Sequence, residues 1–171
     1  MNLPLKTILA LVAYYGIAQY LPSTGGGKKV RYVLVKHIFA KCGHNVNVER
    51  RANFGYGDKI EIGDNSGIGI NASIPRDTII GDNVMMGPNC VILSSNHKFD
   101  RTDIPMCQQG STENKQTRIG NDVWIGRDVL IMPGRNISDG TIVAARCVLS
   151  KDFPSYSIVG GNPPRIIRMR K

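Results

Sequence analysis

Residues 119–137 read IGNDVWIGRDVLIMPGRNI, with isoleucine at every sixth position. The same period recurs in two stretches, whose aliphatic members are Ile62, Ile68, Ile74, Ile80, Met86 and Ile92, then Ile119, Ile125, Ile131, Ile137, Val143 and Leu149. A period of six matches neither an α-helix nor the alternation of a half-buried strand. It fits a three-sided coil in which each side takes six residues and stacked coils bury one aliphatic column. The repeat therefore predicts a mainly β fold, a parallel β-helix of triangular cross-section.

Two further columns share this period. Glycine directly follows the aliphatic residue at Gly63, Gly69, Gly81, Gly87, Gly120 and Gly126. A small or β-branched residue lies four positions after the aliphatic residue at Ser66, Ala72, Thr78, Val84, Cys90, Val123, Val129, Thr141 and Cys147, with Arg135 as the mid-repeat exception. We predict that the small residues point inward and that the glycines form the turns, since tight turns often need positive φ.

The period divides the chain into three parts. Residues 44–153 form the β-helix, with four coils from Ile62 onward, an imperfect earlier coil from Val46 to Ile60, and an ejected polar loop at 93–118. Residues 1–43 are predicted to be a helical segment, and residues 154–171 a C-terminal turn and basic tail. Loops held on a rigid scaffold often carry function.

The helical segment contains two apolar stretches. Val30, Val33, Leu34, His37 and Ile38 share one predicted helical face. The stretch from Leu3 to Leu21 is interrupted by Lys6 and Gln19 and is short for a bilayer. A packed or interfacial helix is therefore favoured over a membrane anchor, and peripheral membrane contact stays an alternative.

Composition limits the function classes. The chain has 171 residues and a formal net charge of +9, which favours anionic partners. It lacks the aromatic residues within a basic groove that nucleic-acid binding would predict. The four cysteines show no paired spacing, so we expect reduced thiols and a cytoplasmic protein, with membrane association as the alternative.

One histidine stands out as a candidate base. His97 lies in Ser94-Ser95-Asn96-His97-Lys98-Phe99-Asp100, where the repeat gives way to the loop. A histidine at the edge of a rigid scaffold, with Asp100 to orient it, suits general base catalysis near neutral pH. An exposed loop histidine without a chemical role fits the spacing equally well. Asn96 and Asn71 are candidates for hydrogen bonds to an acceptor.

Four motifs together resemble a known family. They are Ile80-Gly-Asp-Asn-Val-Met, Asn96-His97-Lys-Phe-Asp100, Asn121-Asp-Val-Trp124-Ile-Gly126 and Val159-Gly-Gly-Asn-Pro-Pro-Arg165. In this order the chain resembles the hexapeptide-repeat O-acetyltransferases, in the sugar and exopolysaccharide branch near the maltose and galactoside acetyltransferases. The resemblance runs from about Cys42 to the C-terminus and implies a left-handed β-helix.

That resemblance implies an acetyl-CoA-dependent enzyme of polysaccharide biosynthesis, with no metal. It implies a homotrimer with sites between neighbouring chains and His97 as base for direct transfer to a saccharide hydroxyl. An oxyanion donor would be the Arg127 amide after Gly126, where the family more often has serine or alanine. The remaining cofactor residues would be Ala145, Ser150 and Lys151 along the last coils and Arg165 and Arg168 at the nucleotide phosphates. We expect Trp124 to pack against the site.

Other readings stay open. The family uses an acidic acceptor residue near its N-terminus, whereas Glu49 is the only acid here before Asp58. A serine O-acetyltransferase is a rival, although its usual N-terminal helical domain is missing. A non-catalytic scaffold or membrane-surface subunit is another, but it would not need His97, the loop and the basic tail together. A γ-type carbonic anhydrase would need several zinc-binding histidines, and His97 is the only one in the repeats.

Overall fold

A computed structural model describes residues 3–171, so Met1 and Asn2 of the predicted helical segment lie outside the described residues. Two helices come first, α1 (Leu5–Gly16) and α2 (Gly27–Ile38), and short 3₁₀ turns cover Ala18–Tyr20 and Met106–Gln108. The strands are β1 (Lys41–Cys42), β2 (Asn47–Val48), β3 (Glu61–Ile62), β4 (Gly67–Ile68), β5 (Ile79–Ile80), β6 (Met85–Met86), β7 (Val91–Ile92), β8 (Arg118–Ile119), β9 (Trp124–Ile125), β10 (Leu130–Ile131), β11 (Asn136–Ile137), β12 (Ile142–Val143), β13 (Val148–Leu149), β14 (Ser157–Gly160) and β15 (Arg165–Met169).

The strands of the repeats stack into three parallel faces, as predicted. Face 1 holds β1, β3, β5, β8 and β11, face 2 holds β2, β4, β6, β9, β12 and β14, and face 3 holds β7, β10 and β13. The chain turns from face 1 to face 2 at corner 1, from face 2 to face 3 at corner 2, and from face 3 to face 1 at corner 3. The pairing of Glu61 with Ile79 makes one coil eighteen residues, or three repeats. The solenoid has about six turns, counting β1 at its start and β14 at its end.

The interior follows the predicted columns. Eleven of the twelve aliphatic repeat residues are buried, with Met86 half-buried, and every residue of the small column is buried. Val48, Phe54 and Ile60 of the imperfect first coil are completely buried as well. Arg135 lies instead at the surface of corner 3, where its Nη1 donates to the Ser150 carbonyl at 3.1 Å. Burial of one continuous aliphatic column is the main force that stacks the coils.

The prediction that the glycine column forms the turns is wrong. Positive φ occurs three positions after the aliphatic residue, for example at Asn65 (56°), Asn83 (58°) and Asp122 (53°). Asparagine and aspartate tolerate this left-handed conformation better than most residues. The glycines serve close stacking instead, because a Cβ on Gly81 would lie 2.7 Å from the Gly120 carbonyl oxygen of the next coil.

The helices cap the open end of the prism. Strand amides of each coil donate to carbonyls of the next coil, for example Gly43 N to Ile62 O at 2.9 Å, so the first coil has carbonyls without strand partners. Side chains of the helices donate to them: Arg31 Nε to Val48 O at 2.6 Å, Tyr14 Oη to Ala52 O at 2.9 Å and Tyr32 Oη to Gly43 O at 3.1 Å. Thus α1 and α2 cover a sheet edge that would otherwise be open to pairing with strands of other chains.

The buried face of α2 differs from the prediction. Arg31, Val35 and Ile38 are buried, whereas Val30 and Val33 are exposed. The helix turns Arg31 inward because the carbonyls of the first coil need a donor, and this requirement outweighs the apolar pattern.

The C-terminal segment is also more ordered than the expected turn and tail. Strand β14 adds in parallel to β12 on face 2, and β15 folds back antiparallel to β14. Within residues 3–171 no helix is long and apolar enough to cross a membrane.

Candidate active site

The ejected loop is an ordered ribbon at corner 3. It leaves face 3 after β7 and returns to face 1 at β8. Backbone bonds join its two arms: Thr112 N to Asn96 O at 2.8 Å, Lys98 N to Gly110 O at 3.0 Å and Lys115 N to Ser94 O at 2.8 Å. The ribbon therefore holds the main chain around position 97 in one conformation.

His97 lies on this ribbon, bridged to Ser111 through the backbone, and its side chain is exposed. Within residues 3–171 neither the imidazole of His97 nor the carboxylate of Asp100 has a hydrogen-bond partner, so the predicted contact between them is not formed in one chain. Asn96 is exposed beside His97, and its main-chain N donates to Thr112 Oγ1 at 3.0 Å.

Corner 2 holds three of the predicted cofactor residues. Gly126 lies under the next coil, where a Cβ would come within 2.5 Å of the Ala145 nitrogen. Arg127 and Ala145 occupy the same position of successive coils, and both are exposed. Face 3 separates corner 2 from the loop, so one chain does not bring His97 together with these residues.

The amide groups of corner 2 differ from those of corner 1. At corner 1 the main-chain amide of the second residue after each strand donates to a side chain of the next coil. His44 N donates to Asp64 Oδ1, Asp64 N to Asp82 Oδ1, and Asp82 N to Asn121 Oδ1, at 2.7, 2.7 and 2.8 Å. At corner 2 the equivalent column reads Arg50, Ile70, Pro88, Arg127 and Ala145. Within the described chain the Arg127 and Ala145 amides donate no hydrogen bond. These two main-chain donors, like those of Arg50 and Ile70 in the same column, have no partner within the described chain. Such donors can bind an oxyanion or an amide-bearing chain.

A pair of guanidinium groups at corner 2 was missed from the sequence. Arg127 Nε and Arg146 Nε lie 3.5 Å and 3.8 Å from Asp128 Oδ2. Arg146 has φ 62°, where most equivalent positions of the prism carry asparagine, aspartate or glycine. That departure from the column was the available signal, because arginine rarely takes this conformation without a reason.

The remaining predicted residues are spread over the last coils. Ser150 and the Lys151 side chain, which lies 5.5 Å from the Phe153 ring centre, follow β13 towards corner 3. Arg165 and Arg168 are exposed on β15. Trp124 is half exposed on face 2, in an outward row with Met85 and Ile142.

Asn71 is part of the corner itself. It has φ 55°, and its Nδ2 donates to Asn89 Oδ1 at 3.0 Å. Asn89 Nδ2 in turn donates to Asp128 Oδ1 at 2.8 Å. The Asn71 amide thus already links two coils at corner 2, away from the loop of its own chain.

Two other groups do not supply chemistry. Glu49 is engaged in the cap, where it accepts from Ser23 Oγ and, at 3.0 Å, from Asn47 Nδ2, and pairs with Lys28 Nζ at 2.9 Å. Burial raises the pKa of Cys90 to about 11, so this thiol stays protonated and is a poor nucleophile near neutral pH. Within residues 3–171 no three histidine, cysteine, aspartate or glutamate side chains are grouped as metal ligands.

Comparison with known proteins identifies relatives that share the repeat and the fold. The family model described as bacterial transferase hexapeptide (six repeats) matches residues 59–94. The chain is 36% identical over 140 residues to galactoside O-acetyltransferase of Escherichia coli K12, covering 81% of this chain and 68% of that protein.

Two solved structures share the fold. One is a galactoside acetyltransferase in complex with coenzyme A, with a TM-score of 0.80, 32% identity and coverage of 96% of this chain and 80% of the other. The second is a hexapeptide-repeat acetyltransferase of Vibrio cholerae in complex with acetyl coenzyme A, with a TM-score of 0.77, 31% identity and coverage of 96% and 89%.

Proposed function

The chain belongs to the hexapeptide-repeat acetyltransferases and is therefore an acyltransferase; we propose that it transfers the acetyl group of acetyl-CoA to a hydroxyl of a saccharide. The observation that carries this proposal is the pair of free main-chain amides at corner 2, on Arg127 and Ala145. Relatives with this fold have been solved with coenzyme A and acetyl coenzyme A.

His97 is the base of the proposed reaction. One ring nitrogen takes the proton of the acceptor hydroxyl as its oxygen attacks the thioester carbonyl carbon. The Arg127 amide donates to the oxyanion of the tetrahedral intermediate. When this intermediate collapses, the carbon–sulfur bond breaks and the imidazolium returns the proton to the thiolate of coenzyme A. Asp100, three positions after His97 on the ribbon, orients the imidazole in the assembled site.

The site is shared between copies of a homotrimer in this proposal. In one chain the loop and corner 2 lie on opposite edges of face 3, so a neighbouring copy must bring its loop to corner 2. The outward row of Met85, Trp124, Ile142 and Ile158 on face 2 supports such packing, because Met85 and Trp124 are exposed and the two isoleucines are half-buried.

The cofactor lies along the last coils in the same account. Its pantetheine arm accepts from the Ala145 amide at corner 2 of one chain, and its phosphates meet Arg165 and Arg168. Ser150 and Lys151, which lie towards corner 3, contact the arm from the neighbouring copy. Exposed arginines provide the planar donors that phosphate groups need. The acceptor is held by Asn96 of one chain and Asn71 of the next. The saccharide acceptor would belong to cytoplasmic polysaccharide biosynthesis.

Replacement of the base tests this function. His97→Ala should lower the turnover of acetyl-CoA by about 10²–10⁴-fold, the usual contribution of a general base. It should leave coenzyme A binding and the oligomeric mass unchanged. Thiol release in the presence of galactosides, maltose and nucleotide sugars measures turnover. Calorimetry measures coenzyme A binding, and sedimentation measures the oligomeric mass.

His44→Ala is the matched control, because His44 is exposed at corner 1, far from the loop along the chain. Wild-type turnover by the His97→Ala enzyme would refute the assignment of the base.

A further inference from the structure

The outer surface of the cap carries an apolar stripe that the proposed reaction does not use. Leu5, Ile8, Leu9 and Val12 recur on one side of α1 and are 71, 43, 61 and 67% exposed. The opposite side of α1 is buried through Thr7, Ala10, Leu11 and Tyr14. A helix that is apolar on both sides is unusual at a protein surface in contact with water.

Further apolar side chains are exposed past the end of the helix. Ile17, directly after α1, is 68% exposed, and Tyr20, at the end of the 3₁₀ turn Ala18–Tyr20, is 62% exposed. Val30 and Val33 of α2 are exposed as well, and α2 packs beside α1 on the first coil. The outward sides of both helices therefore lie at one end of the solenoid.

The charge of this end is mainly positive, and its acidic residues Glu49 and Asp58 are both held in ion pairs. The first acidic residue of the chain is Glu49, whereas six basic residues precede it: Lys6, Lys28, Lys29, Arg31, Lys36 and Lys41. All of them except Arg31 are exposed. Glu49 is paired with Lys28 and with the cap, so it does not offset the remaining lysines.

We propose that the outward surface of α1 and α2 docks on an anionic lipid bilayer, with the α1 stripe in the interfacial layer and the lysines at the head groups. An interfacial helix needs apolar side chains on one side and basic residues beside them, and its binding rises with anionic lipid. A second copy of the same surface is a poor occupant, because it would oppose lysines to lysines.

This orientation bears on the acceptor. The loop leaves the third coil, two coil spacings or about 10 Å beyond the first coil, and the cap adds the thickness of one helix, about 10 Å. The start of the loop that carries His97 is thus within about 20 Å of the head groups along the solenoid axis, which favours an acceptor saccharide attached to lipid. The docking itself does not depend on the proposed reaction.

Vesicle flotation of the full chain tests the docking in two arms. The vesicles are phosphatidylcholine alone or phosphatidylcholine mixed with phosphatidylglycerol. Wild-type protein should float with the mixed vesicles and much less with phosphatidylcholine. The paired change Leu9→Gln and Val12→Gln should lower the partition coefficient by at least about tenfold, since two apolar side chains no longer leave water.

A second pair of changes, Lys29→Gln with Lys36→Gln, tests the contribution of charge. On mixed vesicles each lysine should account for roughly a fivefold loss, and on phosphatidylcholine for almost none. Met106→Gln is the control, because Met106 is as exposed as Leu9 but lies on the loop. It should float as the wild type does.

Equal flotation of the wild type and the Leu9/Val12 variant would overturn the proposal. Absence of flotation of the wild type would overturn it as well. A fall in the oligomeric mass of the Leu9/Val12 variant, measured by sedimentation without vesicles, would then show that the stripe is a contact between chains. Thermal melting of each variant confirms that these exposed changes leave the fold intact.

Discussion

The glycine column has a stacking role at the scale of single residues. A Cβ on Gly81 would lie 2.7 Å from the Gly120 oxygen and 2.8 Å from the Gly120 carbonyl carbon, which belong to the backbone and cannot move aside. Gly81→Ala should therefore lower the free energy of unfolding by about 1–3 kcal/mol, the usual cost of overpacking. Denaturant unfolding measures it.

Gly16→Ala is the control for that change. Gly16 has no atom within 4 Å of an added Cβ, and its φ is not positive. Alanine should be neutral or mildly stabilising there. Equal stability of the Gly81 and Gly16 variants would mean that the coils have room to spare.

Glu49 should make stability depend on pH. Burial alone would raise its pKa, but hydrogen bonds from Ser23, Asn47 and Lys28 outweigh this and lower the pKa to about 2. Because the folded pKa lies below the unfolded one, the carboxylate stabilises the fold fully above about pH 5, and this contribution is lost as pH falls towards 2.

Glu49→Gln should remove that dependence. The wild type should lose about 1–2 kcal/mol more than the variant between pH 5 and pH 2, allowing for partial exposure. Chemical unfolding across this range measures the difference. Parallel curves for the two proteins would show that Glu49 is not held as an anion.

Sequence patterns located side chains better than main-chain groups. The columns of isoleucine and of small residues predicted the interior because burial selects residue type. The glycine role was misjudged because turns and stacking contacts recur with the same period, so spacing cannot separate them. The free amides of Arg127 and Ala145 have no side-chain signature of their own. They show only in the contrast between the column of corner 1 that supplies aspartate and asparagine acceptors and the equivalent column of corner 2, which supplies none.

The cap is the element whose loss should matter most to the fold. Tyr14 Oη donates to Ala52 O at 2.9 Å, and its ring centre lies 4.6 Å from that of Phe54. Tyr14→Phe keeps the ring and removes the donor, so a buried carbonyl of the first coil loses its partner. The free energy of unfolding should fall by about 1–3 kcal/mol.

Tyr20→Phe is the matched change, because Tyr20 is 62% exposed. Thermal or denaturant unfolding should show almost no effect there. A Tyr14 variant as stable as the Tyr20 variant would mean that water satisfies the first coil and that the helices are not a true cap.

The same element limits what an apolar pattern can predict. The apolar pattern places Val30 and Val33 on one face of α2 with Ile38, yet both valines are exposed and Arg31 is buried. Its guanidinium also donates to the Ala18 and Leu21 carbonyls at 3.1 and 2.8 Å, so it joins three segments of the chain. A buried arginine of this kind depends on where unpaired carbonyls lie, and that is a property of the fold and not of the local sequence.

At the scale of the whole molecule, the loop and corner 2 are separated by face 3 in every chain. The family resemblance predicted a shared site, and the separation supports it, because no rearrangement of an ordered ribbon within one chain is then required. In the proposed homotrimer a neighbouring chain would supply the missing half. Activity should therefore depend on pairs of chains and not on single chains.

Subunit complementation tests this claim most directly. His97→Ala lacks the base, and Ala145→Glu puts a bulky anion on the exposed position at corner 2 where the cofactor arm is proposed to lie. Each variant alone should be inactive. Chains mixed in equal amounts, unfolded and refolded together should regain about a quarter of wild-type acetyl transfer, because one contact in four then joins an intact loop to an intact corner 2. Mixed oligomers that form, as native mass spectrometry would show, but stay inactive would contradict a site shared between chains.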